Sequence, residues 1–173
     1  MKYLLVIDMQ NDFISEALGT PEAPDVVPAV CDLIRGFDGE VIYTRDTHGK
    51  DYLNTQEGRK LPVPHCIRGT EGWQICREVT ACMKPDAEVI DKVTFGFSDL
   101  PRIILEKNGG KEPQEVHFAG LCTDICVISN AMICKAAFPE AAIIVHSGCC
   151  AGVTPESHQT ALDAMAACQI EIV

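Results

Sequence analysis

The segment VHFAGLCTDICV, residues 116–127, passes from one kind of local structure to another. Val116–Leu121 is a short, mainly apolar run, which is typical of a strand covered on both faces of a sheet. The polar break that follows favours a helix running to about Ala137, with Thr123 or Asp124 as its N-terminal cap. The segment therefore predicts a strand that leads directly into a helix.

Similar apolar runs recur along the chain and predict five further strands. Most are apolar throughout rather than alternating, as expected for strands buried on both faces. These runs are Tyr3–Ile7, Val41–Thr44, Glu88–Ile90, Ala142–His146 and Ile170–Val173.

Helical patterns with start signals lie between these strands. One helix is predicted over Asp25–Phe37, a second from a Ser98 cap to about Lys107, and a third from a Thr154 cap to about Cys168. Strands that alternate with helices imply right-handed crossovers and a mainly parallel sheet. We therefore predict an α/β fold, three-layer α/β/α with a six-stranded, mainly parallel sheet, in a single domain over residues 1–173. The long stretch 47–72 shows no clear element, which is uncommon for a loop without a function.

Composition limits the classes of partner. The 173 residues carry a formal net charge of −11 and no Lys/Arg-rich block, so neither nucleic acid nor an anionic membrane is an expected partner. The apolar run near the N-terminus is too short for a signal peptide or a membrane span, which predicts a soluble, cytoplasmic protein. The ten cysteines are therefore expected to be reduced thiols, and most occupy apolar patterns as small hydrophobic residues.

Polar residues follow the predicted strands at the points where those strands end. Asp8 follows the first strand, Asp46 and His48 follow the second, Lys92 lies beside the third, and a cysteine pair follows the fourth. Because the carboxyl ends of parallel strands meet at one edge of a sheet, we expect these side chains to converge. Each residue alone has an ordinary structural interpretation, as a turn residue or a solvated lysine, but together they predict a site.

Aspartate and histidine, two of these residue types, can bind a metal ion. Asp46 and His48 occupy alternate positions and can point the same way in an extended segment. His65 could return from the long loop to complete a set of two imidazoles and a carboxylate, with Glu57 as a fourth ligand and Asp51 as its competitor. Such a set suits one divalent ion, zinc first, with iron or manganese as alternatives. The competing interpretation is that these histidines are hydrogen-bonded surface residues.

The two cysteines of the opening segment do not suit a structural zinc site, which needs a companion pair of ligands. A disulfide between Cys122, on the strand, and Cys126, in the first helical turn, would have poor geometry. A nucleophile remains. The positive end of the helix favours a thiolate at Cys126, although this argument does not exclude Cys122.

The motifs in their order along the chain resemble those of the isochorismatase-like cysteine hydrolases, and within them the nicotinamidase/pyrazinamidase branch. The resemblance spans essentially the full length. Its motifs are IDMQNDF (7–13), TRDTH (44–48), PHCIRGT (64–70), the lysine of DKVTFGF (91–97) and GLCTDICV (120–127).

This resemblance implies a catalytic triad of Asp8, Lys92 and Cys126. It also implies a cis peptide bond between Leu121 and Cys122, with the backbone N–H groups of Cys122 and Cys126 forming an oxyanion hole. Phe13 would stack on the substrate ring.

The resemblance further implies that Asp46, His48 and His65 are metal ligands, with Glu57 in a variable fourth place, and that the metal anchors the pyridine nitrogen of nicotinamide. The family also suggests a homo-oligomer. One departure concerns the ring pocket. Many nicotinamidases have a tryptophan shortly before the second metal histidine, whereas here LPVP (61–64) occupies that place and the single tryptophan, Trp73, follows it.

The expected reaction is hydrolysis of a small-molecule amide, nicotinamide or a similar aromatic carboxamide, through a thioester on the cysteine. Two alternatives remain open at this point. One is a related hydrolase that acts on another amide or on isochorismate without a catalytic metal, and the other is a non-catalytic, thiol-rich binding or redox protein.

Overall fold

Six strands form one sheet in which every neighbouring pair is parallel, in the order β3-β2-β1-β4-β5-β6. The computed structural model describes all residues from 1 to 173. The strands are β1 (Lys2–Ile7), β2 (Glu40–Asp46), β3 (Glu88–Lys92), β4 (Glu115–Leu121), β5 (Ala142–Ala151) and β6 (Glu171–Ile172).

Helices connect the strands and cover both faces of the sheet. They are α1 (Asn11–Ile14), α2 (Ala23–Gly36), α3 (Gln56–Lys60), α4 (Arg77–Thr80), α5 (Leu100–Lys107), α6 (Ile128–Ala137) and α7 (Pro155–Ala167). A 3₁₀ turn at Tyr52–Asn54 precedes α3, and a π-helical segment at Thr123–Val127 leads into α6. None of the helices combines the length and the apolarity that a membrane crossing requires.

Alternate side chains of β1 enter two separate apolar cores. Leu5 belongs to the core that contains Ala131 of α6, whereas Leu4 belongs to the core that contains Val30 of α2. Because successive side chains of a strand point to opposite faces, the sheet lies between two helical layers. The predicted three-layer α/β/α fold is confirmed, and the sheet is parallel throughout.

Three predicted strands end later in the structure. β2 extends to Asp46, so this residue ends the strand rather than following it, β3 extends to Lys92, and β5 extends past His146 to Ala151. The polar sequence HSGCCA obscured the second half of β5, whose first four residues are partly buried or exposed. The stretch 47–72, which shows no pattern in the sequence, contains the 3₁₀ turn and α3.

The helix caps agree with the sequence only at α7. Thr154 caps that helix in a capping box with Ser157, as predicted. At α5 the N-cap is Asp99 rather than Ser98, and it makes no side-chain cap bond, because its carboxylate pairs with Arg102 at 3.0 Å.

The predicted cap of the helix after β4 is also wrong. The N-cap position is Cys122, and Thr123 and Asp124 already belong to the π-helical segment. Their side chains make other contacts. Thr123 Oγ1 lies 2.8 Å from His158 Nδ1, and the Asp124 carboxylate accepts the N–H of Val153 at 3.1 Å.

Candidate active site and metal centre

The site lies at the carboxyl ends of β1 and β4, where the strand order reverses. The chain runs from β1 outward to β2 and β3, then returns to place β4 on the other side of β1. Open α/β sheets bind ligands in the crevice formed at such a switch point. Asp8 directly follows β1 and Cys122 directly follows β4 at this crevice.

Asp8, Lys92 and Cys126 meet there as predicted. Lys92 Nζ lies 2.6 Å from Asp8 Oδ2 and donates to Cys126 Sγ at 3.5 Å and to the carbonyl oxygen of Thr94 at 3.2 Å. Asp8 and Lys92 are fully buried and Cys126 is nearly so. A buried ammonium needs a carboxylate partner, which explains how a lysine is retained at this depth.

Thr44 of β2 orients Asp8. Its hydroxyl donates to Asp8 Oδ1 at 2.7 Å and accepts the N–H of Asp8 at 3.2 Å. Asp8 has φ 47°, in the left-handed region that Asp tolerates better than most residues. Thr44 was not among the predicted site residues. The one feature of the sequence that could have indicated its role is a hydroxyl residue at a buried position of an apolar strand.

Burial shifts the pKa of each of the three groups. It raises the pKa of Asp8, against the effect of the Lys92 ammonium. Burial alone would lower the pKa of Lys92, but the negative charges around it, with Asp8 first, together raise it. Burial and the Asp8 charge raise the pKa of the Cys126 thiol well above its ordinary value, although Lys92 opposes them. Desolvation of the buried thiol therefore opposes the thiolate that the helix end and Lys92 favour.

Asp46, His48, Glu57 and His65 form a second group beside the first. One ligand atom from each of the four lies within 4.8 Å of the others. His48 Nε2 is 2.8 Å and His65 Nε2 is 3.6 Å from Asp46 Oδ2. The group combines the end of β2, the first turn of α3 and the loop after it.

Local structure explains how the long connection supplies Glu57 and His65. Thr55 caps α3 by accepting the N–H of Gly58 at 3.0 Å, which places Glu57 in the first turn. His65 Nδ1 donates to the carbonyl oxygen of Val63 at 2.8 Å, which leaves Nε2 as the free acceptor facing the group. Asp51, the competing candidate for the fourth place, is not part of this group.

The four residues fit a divalent metal ion. His48 Nε2 is buried and has no hydrogen-bond partner, although it lies beside carboxylate oxygens. Two imidazole nitrogens and two carboxylate oxygens are ligands that zinc accepts in tetrahedral sites. The Val63 carbonyl fixes the tautomer of His65 in the way that second-shell groups do at known metal centres.

The fully buried side chain of Gln10 holds the backbone of Asp46 by hydrogen bonds. Gln10 Oε1 accepts the N–H of Asp46 at 2.7 Å, and Nε2 donates to the carbonyl oxygens of Asp46 and Trp73, both at 2.9 Å. Gln10 lies within the IDMQNDF motif but was not a predicted site residue. It is the third residue after the end of β1, and its partners are distant in sequence.

One cavity of about 510 Å³ joins the two groups. Its walls include all four metal-binding candidates together with Cys122 and Cys126. Apolar side chains complete it: Phe13, Leu18, Leu61, Val93, Phe95 and Ile125. The Phe13 ring centre is 5.6 Å from that of His65, so Phe13 lies within the cavity beside a metal-binding candidate, as its expected role requires.

Trp73 lies behind the site rather than in the cavity. Its Nε1–H donates to Thr47 Oγ1 at 2.8 Å, and the Arg45 guanidinium stacks 3.7 Å above the ring. Leu61, the first residue of LPVP, lines the cavity instead. The ring pocket is therefore built from Phe13, Leu61 and Phe95 without a tryptophan.

The two cysteines of the opening segment occupy different places. Cys126 carries the thiol beside Lys92, whereas Cys122 follows the cis peptide bond Leu121–Cys122 that the resemblance implied. Burial raises the pKa of the Cys122 thiol to about 12. All ten cysteines are free thiols, as expected.

The remaining histidines make structural contacts. His117 Nδ1 lies 2.9 Å from His146 Nε2, and its Nε2 lies 2.9 Å from a carboxylate oxygen of Glu115. His158 contacts Thr123. None of the three lines the cavity.

Comparison with known proteins identifies the class. A family model described as the isochorismatase domain matches residues 2–173. The match spans nearly the whole chain, and the protein belongs to the isochorismatase family.

Individual relatives narrow the likeness. An uncharacterised isochorismatase family protein of Bacillus subtilis is 30% identical over 176 residues, which cover 93% of this chain and 92% of the relative. A nicotinamidase of Schizosaccharomyces pombe is 28% identical over 208 residues, covering 98% of this chain and 91% of the relative. The crystal structure of a pyrazinamidase of Pyrococcus horikoshii in complex with zinc matches with a TM-score of 0.84 at 30% identity, covering 99% of this chain and 98% of that one.

Proposed function

We propose that this protein is an amidohydrolase that cleaves nicotinamide, or a similar aromatic carboxamide, to the acid and ammonia through a thioester. One observation carries the proposal: Cys126, paired with Lys92 and Asp8, faces a four-ligand group across a single cavity. Relatives described as a nicotinamidase and a pyrazinamidase support it. We also propose that residues 1–173 act as one catalytic domain.

Cys126 is the proposed nucleophile. Its Sγ attacks the carboxamide carbon while Asp8 takes the thiol proton, a transfer favoured by the raised pKa of Asp8. Asp8 then gives that proton to the leaving ammonia as the carbon–nitrogen bond breaks. Lys92 holds the Asp8 carboxylate and offsets the negative charge that develops on sulfur.

Hydrolysis of the thioester uses the same groups in reverse. Asp8 takes a proton from water, the resulting hydroxide attacks the acyl carbon, and the acid leaves as the proton returns to Cys126 sulfur. The backbone N–H groups of Cys122 and Cys126 are the proposed oxyanion hole in both halves, and such a donor typically contributes about 10²–10³ in rate.

Asp46, His48, His65 and Glu57 are the proposed holders of one divalent ion, zinc first, with iron or manganese as alternatives. When bound, the ion supplies a Lewis acid that anchors a ring nitrogen of the substrate. Phe13 is placed to contact the ring from the side of His65. The ring is thereby oriented with its carboxamide toward Cys126.

A second candidate is a related hydrolase of the same family for a different amide. The position of Trp73 behind the site favours this variation, because Leu61 and Phe95 leave a ring pocket of a different shape. The four-ligand group opposes a metal-free isochorismate-type enzyme, and the buried triad opposes a non-catalytic thiol protein.

The test is ammonia release from nicotinamide by zinc-loaded protein, measured with and without a chelator. We expect release that the chelator abolishes and added zinc restores. No release from nicotinamide or from other aromatic carboxamides, by protein shown to carry one metal ion, would overturn the proposal. Release from a non-aromatic amide alone would support the second candidate.

A further inference from the structure

Asn130 of α6 connects the nucleophile to the opposite wall of the cavity. Its side chain is fully buried. Nδ2 donates to the carbonyl oxygen of Cys126 at 2.8 Å and to that of Phe95 at 3.1 Å, and Oδ1 accepts the N–H of Phe97 at 2.9 Å. One amide therefore holds the backbone of the nucleophile and both sides of Gly96.

The loop that Asn130 holds forms part of the cavity. Residues 93–99 connect β3 to α5, and Val93, Thr94 and Phe95 line the cavity. The carbonyl oxygen of Thr94 accepts a hydrogen bond from Lys92 Nζ at 3.2 Å. The loop is thus bonded to the triad at one end and to α6 at the other.

Gly96 brings the loop into direct contact with α6. A Cβ atom at Gly96 would lie 2.7 Å from Cδ1 of Ile133 and 3.1 Å from Cβ of Ser129, so any side chain there would displace the end of Ile133. Phe95 itself is 45% exposed, so packing holds its ring less firmly than hydrogen bonds hold its backbone. The position of this ring relative to Cys126 therefore depends on the bonds from Asn130.

We propose that Asn130 is a positioning residue that sets the gap between Cys126 Sγ and the Phe95 wall, and that this gap limits the size of the acyl group reaching the thiol. The proposal rests on the proposed function for the identity of the substrate, an aromatic carboxamide. Asn130 touches neither the reacting atoms nor the cavity and acts through Phe95.

A purely structural role makes a different prediction. A buried amide that serves only stability would, when removed, lower the amount of folded protein and reduce every reaction at Cys126 by the same factor. A positioning residue changes the ratio between large and small reagents. The ratio is therefore the informative measurement.

The experiment compares alkylation of Cys126 by iodoacetamide and by N-benzyl iodoacetamide, followed by mass spectrometry of the peptide that contains Cys126. Asn130→Ala removes all three bonds, and Asn130→Asp keeps the shape and the acceptor but loses both donations. Phe95→Ala removes the wall itself at a partly exposed position. Ser129→Ala is the matched control, because its hydroxyl bonds only the Ile125 carbonyl within the same helix.

We expect the ratio of large-reagent to small-reagent alkylation to rise about fivefold in both Asn130 variants, the factor that corresponds to roughly one lost buried hydrogen bond. Phe95→Ala should give at least the same rise, and Ser129→Ala should leave the ratio unchanged. In turnover, kcat/KM for nicotinamide should fall relative to that for a ring-alkylated nicotinamide, mainly through KM.

Folded Asn130 variants with the wild-type ratio would overturn the proposal. If neither variant folds, an unchanged ratio in Phe95→Ala overturns it, because the wall would then not limit access. A shifted alkylation ratio in a protein that releases no ammonia from nicotinamide would support the role of Asn130 while overturning the proposed substrate.

Discussion

The two groups that share the cavity differ in how their charges are satisfied. The nucleophile half, Asp8, Lys92 and Cys126, contains its own ion pair, with 2.6 Å between Lys92 Nζ and Asp8 Oδ2. The metal half, Asp46, His48, Glu57 and His65, combines two carboxylates with two imidazoles, and His48 Nε2 has no hydrogen-bond partner. The first half therefore holds a cation of its own, whose ammonium also lies 3.6 Å from Asp46 Oδ1, whereas the second has the composition of a site that binds an added cation.

A different amide side chain holds the backbone in each half by hydrogen bonds. Gln10 holds the backbone of Asp46 on the metal side, and Asn130 holds the backbone of Cys126 on the other. Both amides are fully buried and bond residues distant in sequence. If the two halves are independent, damage to one should leave the characteristic property of the other intact.

The largest effect is expected at the nucleophile. Cys126→Ala removes the only thiol in contact with Lys92, and ammonia release should fall by about 10⁴-fold or more. Zinc content, measured by atomic emission on the same preparation, should stay at the wild-type value. Substantial surviving turnover would refute the assignment of Cys126 as nucleophile.

The converse change is His65→Ala in the metal half. Zinc affinity, measured by competition with a fluorescent chelator, should fall by about 100-fold or more, since a ligand matters at least as much as its second shell. Iodoacetamide should still alkylate Cys126 at close to the wild-type rate. A large change in that rate would show that the two halves are coupled.

A smaller loss of metal affinity is expected for Gln10→Ala. This change removes the three hydrogen bonds between the Gln10 side chain and the backbones of Asp46 and Trp73. Changes at second-shell positions typically reduce metal affinity by about 10–100-fold, and we expect this range here. Asn130→Ala is the control, because it removes an equally buried amide from the other half. Equal losses of zinc affinity in the two variants would contradict the division of the site.

The smallest effect is expected for Cys122→Ala. The proposed role of Cys122 uses its backbone N–H, which alanine retains, so turnover should stay within about threefold of wild type. The test is kcat/KM for nicotinamide at saturating zinc. Loss of activity comparable to that of Cys126→Ala would reverse the choice between the two cysteines.

The sequence predicts the sheet and the residues at its carboxyl edge because both depend on local patterns. Apolar runs mark the strands, and in parallel strands the residue after each run has to lie at the same edge. The strand ends therefore predict that Asp8, Lys92 and the cysteine pair, far apart in sequence, lie close together. The predicted homo-oligomer and cytoplasmic location stay predictions.

Features that depend on distant partners were not predictable. In the sequence Thr44, Gln10 and Asn130 are ordinary polar residues, and only the folded chain shows which groups they bond. The environment of the Cys126 thiol is hidden for a similar reason. Its helix position is visible in the sequence, but the depth at which the sheet and helices bury it is not.

The pairing of β1 with β4 has a consequence for the order of assembly. The metal half lies within residues 10–65, which form β2 and the segments around it. Gln10, whose side chain holds Asp46, lies in the same range. The nucleophile half exists only after β4 has docked on β1 across a long intervening chain, a closure that is entropically slow. The ligands of the metal half therefore come from one continuous stretch of the chain, whereas a desolvated Cys126 requires β4 to be docked on β1.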